Sequence, residues 1–335
     1  MKLNVVIPIY NEQENLRELH LRLKKVCDQL DGMVWQVLYV NDGSSDDSLK
    51  IMLEQCRSDP RFSIIDLSRN FGHQPAIAAG LANADGDAVI FMDGDLQDPP
   101  ELIPDLLASW REGTQIVRAQ RRSRQERGIR RIGFEIFYKL FRFLSDFPIP
   151  PHAGIFGLLD RQAVEELKVF TERNRFFPGL RSWVGFKQGV VYYDRQDRAA
   201  GEPKQSLKRL IRYALDAIFS FSYKPLRIMT GIGILISVAG FLLACYFVIR
   251  RLAGIEIAQT GFTTLVTLVL FLGGVQLIAI GLLGEYLARI YDEAKHRPLY
   301  IVKNRHGIDA TETKNEENLD DAVSQRSRDA YNSVQ

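Results

Sequence analysis

Cysteine is scarce in this chain. Cys27, Cys56 and Cys245 are the full set, with no paired spacing and no C-x-x-C. That excludes a disulfide framework and a cysteine-built zinc site, and it fits a reduced compartment. Charge of one sign is missing too. The 43 Lys and Arg stand against 41 Asp and Glu, a net +2, so there is no global nucleic-acid signature and no nucleic-acid partner is expected. The five histidines, His20, His73, His152, His296 and His306, show no metal-ligand spacing. No G-x-G-x-x-G and no G-x-x-x-x-G-K-[ST] occurs, which disfavours a dinucleotide fold and a P-loop. The opening "MKLNVVIPIYNE" lacks the long apolar core of a signal peptide, so the N-terminal part is expected to fold in the cytoplasm.

What is present is a rapid alternation of strand and helix signals. "NVVIPI", "WQVLYV", "FSIIDLS" and "AVIFM" are short β-branched or aromatic runs, and "QIVRAQ" adds a fifth. Between the first two, Leu16, Leu19, Leu23, Val26 and Leu30 recur at helical spacing. Ser44, Ser45 and Asp46 are N-cap candidates for the second helix. The Ala-rich "PAIAAGLANA" and "ELIPDLLASWREG" supply two more helices. This order predicts an α/β fold with a mostly parallel sheet covered on both faces.

From residue 121 the texture changes. "RRSRQERGIRRIGFEIFYKLFRF" and "KQSLKRLIRYALDAIFSFSYK" are basic and amphipathic, as membrane-surface elements are. Residues 228 to 249 then carry no charge, and as a helix they reach roughly 33 Å, enough for a hydrocarbon core of about 30 Å. A second uncharged run extends from Phe262 to Gly284. The expected organisation is a catalytic domain over 1–205, an amphipathic juxtamembrane helix over 206–224, and transmembrane helices over 225–250 and 262–287. A return segment over 288–305 and a polar, disordered tail over 306–335 follow. Lys204, Lys208, Arg209, Arg212, Lys224 and Arg227 precede the first span, and Arg289, Lys295 and Arg297 follow the second, against Arg250 and Arg251 in the connecting loop. The positive-inside rule thus predicts a multi-pass protein of the cell (inner) membrane with its large domain in the cytoplasm. Gln276, inside the second span, is placed to help helices pair, and self-association through the spans is expected.

The chemistry gathers at the strand ends. "AVIFMDGDLQDPPE" runs from a buried strand straight into Asp93, Asp95 and Asp98, and an open α/β sheet binds ligands at that edge. Asp-x-Asp alone is more often a solvated turn. At the end of a fourth strand it is a ligand set for a hard divalent cation, with Gln97 as a neutral oxygen donor. Gly94 between the two acids leaves room for a ligand to approach the backbone. "PIYNEQENL" and "VNDGSSDDS" end the first two strands at the same edge. There Tyr10 is placed to stack on a base, and Asp42 to accept hydrogen bonds from a uracil or ribose. His73, in "GHQ", is a weaker nucleotide contact, and Trp183, in "LRSWVGF", is expected to pack.

Taken together, "VVIPIYNEQENL", "VNDGSSDDS", "NFGHQPAIAAG" and "DGDLQDPPE", in this order, resemble the inverting family 2 glycosyltransferases with a GT-A fold. The chain is similar, more narrowly, to the polyprenyl-phosphate glycosyltransferases, among them the bactoprenol glucosyltransferases and dolichol-phosphate mannose synthases, from about residue 3 to 302. The resemblance implies that Pro8, Tyr10, Glu12 and Asp42 line a nucleotide pocket with Gln74 nearby. It implies that Asp93, Asp95 and Gln97 hold Mg2+ or Mn2+, and that Asp93 and Asp95 serve catalysis through that ion. A basic motif of the family stands here as "RAAGEPKQ", keeping Arg198, Gly201 and Lys204 but with Pro203 and Gln205 in place of serine and tyrosine. An acidic D-x-G-D-F-R-L element of many relatives is "HAGIFGL" here, with His152, Ile155 and Gly157, so no catalytic base is assigned from it.

A lipid phosphate acceptor needs no such base, because a phosphate monoester's second pKa is about 6 and its oxygen is already largely ionised. Cations must gather the two anionic reactants. Of Arg121, Arg124, Arg130, Arg131, Arg198 and Lys204, the family motif favours Arg121, Arg198 and Lys204 for the lipid phosphate. The implied activity is transfer of a hexose, glucose from UDP-glucose foremost, to undecaprenyl or another polyprenyl phosphate at the cytoplasmic membrane face. Two other readings stay open. A processive polysaccharide synthase usually carries Q-x-x-R-W and more spans; a transporter or flippase subunit with a nucleotide-binding domain would place an ionisable residue inside a span.

Overall fold

The computed structural model describes residues 1–121, 154–173, 175–193, 224–253 and 261–307. Chain order runs β1 (Lys2–Ile9), α1 (Leu16–Cys27), β2 (Val34–Asn41), α2 (Ser48–Ser58), β3 (Phe62–Leu67), α3 (His73–Ala82) and β4 (Ala88–Phe91). After a 3-10 turn at Pro100–Leu102 come α4 (Ile103–Arg111), β5 (Ile116–Arg121), β6 (Gly157–Asp160), α5 (Arg161–Val169), α6 (Phe177–Trp183) and β7 (Gln188–Tyr193). Two long helices, α7 (Lys224–Leu252) and α8 (Phe262–Ala294), precede β8 (Val302–His306).

The eight strands form one sheet in the order β7-β5-β6-β4-β1-β2-β3-β8. β1 pairs in parallel with β2 and β4, β2 with β3, and β5 with β7; β6 and β8 run antiparallel to their neighbours. Six strands therefore point one way, and their carboxyl ends share one edge. The α/β class expected from the sequence is the one observed. Every residue of β1 after Lys2 and every residue of β4 is buried, as expected of strands covered on both faces, where the apolar run is continuous rather than alternating. Fully burying side chains such as Val5, Ile7 and Ile90 contributes roughly 1.5–3 kcal/mol each.

One face is covered by α1, α2 and α4, through Leu16, Leu19, Leu23, Met52 and Leu106. The other is covered by α3, α5 and α6, through Ala76, Ile77, Val164 and Leu180. The Ala-rich composition of α3 has a steric cause: a Cβ on Gly80 would lie 2.1 Å from Val6 Cγ1, so only a small helix face fits this close to β1. Beneath α6, Arg181 is fully buried and donates to the Ile155 carbonyl at 3.0 Å and the Gly154 carbonyl at 2.5 Å. Burial, with the Arg118 charge adding, brings its pKa down to about 9.

Four local expectations are corrected. The second helix starts at Ser48 with Asp47 as N-cap residue, and Asp46 contributes by accepting from the Ser48 amide at 3.0 Å. Leu30 falls beyond the end of α1, though it still packs on the core. Trp183 is 60% exposed, touching the Phe170 ring edge-on at 5.3 Å. His306 belongs to β8 rather than to a tail. All but Lys224 of the expected 206–224 helix, and nearly all of the 306–335 tail, lie outside the described residues.

α7 and α8 are both long and apolar enough to cross a membrane. The chain leaves the sheet for them after Tyr193, at the carboxyl end of β7, and returns at Val302, opposite Leu67 at the carboxyl end of β3. Departure and return thus lie on one edge. The return is fastened there by the Ser68 amide, which donates to the Ile301 carbonyl at 2.9 Å, and by Arg173, whose amide donates to Glu293 at 2.7 Å and whose guanidinium donates to the Arg297 carbonyl at 2.8 Å.

Candidate active site

The same edge carries the acids. The loops after β1 and β2 are laced together by polar side chains. Asn11 Oδ1 accepts from the Ser45 amide at 2.8 Å, Ser44 Oγ from the Asn11 amide at 3.1 Å, and Ser48 Oγ from the Glu12 amide at 2.9 Å. This lacing holds Asn11 at φ +54°, a left-handed conformation that asparagine tolerates better than most residues. It leaves the Tyr10 ring 48% exposed at the rim. Glu12 accepts from Asn15 Nδ2 at 2.6 Å, yet its carboxyl is held above the usual range, by burial first, with the charges of Asp95 and Asp93 adding.

Asp42 is buried, and both its oxygens are already engaged: Oδ1 accepts from the Phe71 amide at 2.7 Å and Oδ2 from the Gly72 amide at 3.0 Å. It braces the loop after β3, and burial raises its pKa despite those two donors. Gln74 is likewise engaged, its Oε1 accepting from the Phe177 amide at 3.0 Å and so tying α3 to α6. His73, the first residue of α3, reaches further into the cluster, with Nε2 2.9 Å from Asp93 Oδ1. Desolvation opposes the imidazolium, but the hydrogen bond to Asp93 and the Asp93, Asp42 and Asp95 charges outweigh it, and the pKa is raised.

The turn after β4 is tight. Asp95 Oδ1 accepts from the Gln97 amide at 3.1 Å, and Leu96 is forced to φ +60°. For a side chain that gains nothing locally from this geometry, it costs of order 1 kcal/mol. Gly94 sits close against the end of β1. A Cβ there would lie 2.4 Å from Ile9 Cδ1, so the Ile9 side chain would have to shift to admit one. Asp98 closes the turn. It is buried, Oδ2 accepts from the Asp93 amide at 3.1 Å, and Oδ1 accepts from the Tyr193 hydroxyl at 3.0 Å. Burial, with the Asp93 charge adding, pushes its carboxyl well above the usual range.

The structure therefore brings Glu12, His73, Asp93, Asp95 and Asp98 together. Arg121 ends β5, opposite Tyr193 in register. Arg198 and Lys204 lie outside the described residues, as do Arg124, Arg130, Arg131 and His152. Asp98 and Tyr193 were missed as a pair; Asp98 stood in view within the acid run, whereas nothing in "VVYY" marked Tyr193.

The donor set suits a hard divalent cation. Asp93 and Asp95 offer carboxylate oxygens, and their charges reach both Glu12 and Asp98. Gln97 is buried with its amide nitrogen lacking a hydrogen-bond partner, so the carboxamide is not committed to holding the fold through that atom. Among the described residues no three His, Cys, Asp or Glu side chains form a metal nest by themselves. Mg2+ is usually held by one or two carboxylates, with phosphate oxygens and water completing the shell.

Comparison with known proteins places the chain in a family. Residues 4–168 match the family described as Glycosyl transferase family 2, and residues 224–290 match the GtrB C-terminal hairpin. An uncharacterized glycosyltransferase of Synechocystis is 43% identical over 311 residues, 92% of this chain and 97% of that protein. The bactoprenol glucosyl transferase of Shigella phage SfV is 42% identical over 305 residues, 91% of this chain and 99% of that protein. Among solved structures, the mannosyltransferase PcManGT from Pyrobaculum calidifontis in complex with GDP-Man and Mn2+ is similar at 15% identity, 83% of this chain, 86% of that chain and TM-score 0.43. With relatives above 40% identity along nearly their whole length, the chain belongs to glycosyl transferase family 2 and carries a GtrB C-terminal hairpin over residues 224–290.

Proposed function

We propose that the protein transfers glucose from UDP-glucose to undecaprenyl phosphate or a similar polyprenyl phosphate at the cytoplasmic face of the inner membrane, inverting the anomeric centre. One observation carries this reading: the acid cluster lies on the sheet edge from which the chain departs for α7 and α8 and to which it returns. With both helices in the bilayer, that edge faces the interface, where a lipid phosphate resides. The relatives named bactoprenol glucosyl transferase support the acceptor class and the sugar.

In this reading Tyr10 stacks on the base, while Pro8, Glu12, Asp42 and Gln74 shape the nucleotide pocket. For Asp42 and Gln74 that role runs through the loops they brace. Asp93, Asp95 and Gln97 would hold Mg2+ or Mn2+, which when bound neutralises charge on the departing diphosphate. Arg121, Arg198 and Lys204 gather the lipid phosphate against the repulsion of the donor's own phosphates. An acceptor oxygen then attacks the anomeric carbon as the bond to the nucleotide diphosphate breaks. That oxygen is already ionised, so the protein's task is positioning, and His73 and Asp98 hold Asp93 in place from two sides.

The test incubates purified protein with undecaprenyl phosphate, Mn2+ or Mg2+, and radiolabelled UDP- and GDP-sugars in turn. Label entering the lipid phase as a single linked sugar, from UDP-glucose and lost on chelation, is the expected result. Long polymer would instead identify a processive synthase, and no transfer from any donor would overturn the transferase mechanism.

A further inference from the structure

We propose that Asp98 is a positioning residue that couples the donor site to the acceptor side of the enzyme, with Tyr193 as the other half of the device. The inference rests on the transferase reading for its meaning, though its structural part can be tested alone. Asp98 sits in the turn that carries Asp93 and Asp95, while Tyr193 is the last residue of β7 and comes 95 residues later. Their 3.0 Å hydrogen bond joins the acid turn to the strand from which the chain continues toward Arg198 and Lys204.

The choice of residue is informative. Asp98 receives two donors on two different oxygens, the Asp93 amide on Oδ2 and the Tyr193 hydroxyl on Oδ1. An asparagine offers one oxygen and would turn an NH2 group against the other donor. Burying a carboxylate beside Asp93 and Asp95 is unfavourable, so a residue kept only to fill the core has no reason to be acidic here. Tyr193 is itself buried and held edge-on against Phe156, with ring centroids 5.7 Å apart at 80°. The turn it reaches contains the left-handed Leu96. A conformation of that kind persists only where its surroundings hold it, and the Asp98 carboxylate spans the turn from the Asp93 amide to β7. Through these bonds one group holds both the backbone that carries Asp93 and the end of β7, where Tyr193 stands opposite Arg121 in register.

The test uses full-length protein in detergent or nanodiscs and compares wild type with Tyr193→Phe, Asp98→Asn, Asp98→Glu and the Tyr193→Phe/Asp98→Asn double variant. Hydrogen exchange is read first, because it needs no turnover. Tyr193→Phe is expected to speed exchange of the Asp93 amide by about tenfold while the global unfolding midpoint moves little. Unchanged exchange at Asp93 overturns the coupling. Where wild type transfers sugar, Tyr193→Phe should lower kcat by about tenfold and raise KM for the lipid. The double variant should be no worse than Asp98→Asn alone. Asp98→Glu, which keeps two acceptor oxygens, should recover part of the loss. Effects that multiply in the double variant overturn it. Wild type that transfers nothing while Tyr193→Phe still loosens Asp93 would sink the transferase reading and leave the structural coupling standing.

Discussion

The two ends of the sheet treat charge in opposite ways. Where the strands begin, acids and bases are matched. Asp59 accepts from Arg61 Nη2 at 2.6 Å and lies 3.2 Å from Lys24 Nζ, while Arg61 Nη1 reaches Asp28 at 2.6 Å and the guanidinium sits 3.9 Å over the Trp35 ring. The hydrogen bonds from Arg61 hold the Asp59 carboxyl well below its ordinary range. Where the strands end, acids crowd acids, and Glu12, Asp42 and Asp98 are all held above that range, by burial first. The first arrangement is complete within the folded chain. The second retains like charges at close quarters, which costs stability.

The sharpest way to break this contrast is to remove an acid from the crowded end. Asp95→Ala is expected to lower sugar transfer by about 10³-fold or more, equivalent to roughly 4 kcal/mol of transition-state stabilisation. Its melting temperature should hold or rise, since a repelling charge is gone. Activity within about tenfold of wild type would refute the metal assignment. Arg61→Met should do the reverse, lowering unfolding free energy by about 1–2 kcal/mol in a denaturant titration with the turnover of folded enzyme unaltered.

A smaller and more discriminating effect is the dependence of stability on pH. Asp59 has a depressed folded pKa, so its contribution is present above the unfolded value of about 3.9 and is lost as pH falls through the folded one. Glu12, Asp42 and Asp98 have raised folded pKa values; for them the folded state binds more protons, and stability is gained as pH falls toward their unfolded values. The melting temperature of the metal-free protein should therefore hold or rise from neutrality to about pH 4.5, then fall below about pH 4. Arg61→Met should flatten the acid limb alone; a change in the upper limb would show that the two ends are not independent.

How far the sequence could be read follows from where each element sits. β1 to β4 announce themselves because strands covered on both faces are nearly continuous apolar runs. "VKNRH" does not, because β8 is an edge strand largely open to water, and its pairing is dictated by the bare side of β3 rather than by its own hydrophobicity. At the site, Asp93, Asp95, Glu12 and Asp42 were legible because each follows a strand within a few residues. The partnership of Asp98 with Tyr193 and that of Asp42 with the Phe71 and Gly72 amides were not, since both depend on which loops the topology brings together. Arg181 escaped notice for a related reason: its partners are backbone carbonyls, which leave no trace in residue identity.

The outer position of β8 bears on how the molecule is made. β3 is synthesised before both long helices, and the strand that covers its open side is synthesised after them. A nascent chain thus carries an unpaired edge until both long helices have been made, and uncovered edges invite pairing with other chains. Completion of the sheet therefore waits until residues 302–306 have followed the two long helices out of the ribosome. A fragment ending before the hairpin would keep that edge bare for good, so solubility of the isolated N-terminal domain should depend on supplying the closing strand as a separate peptide.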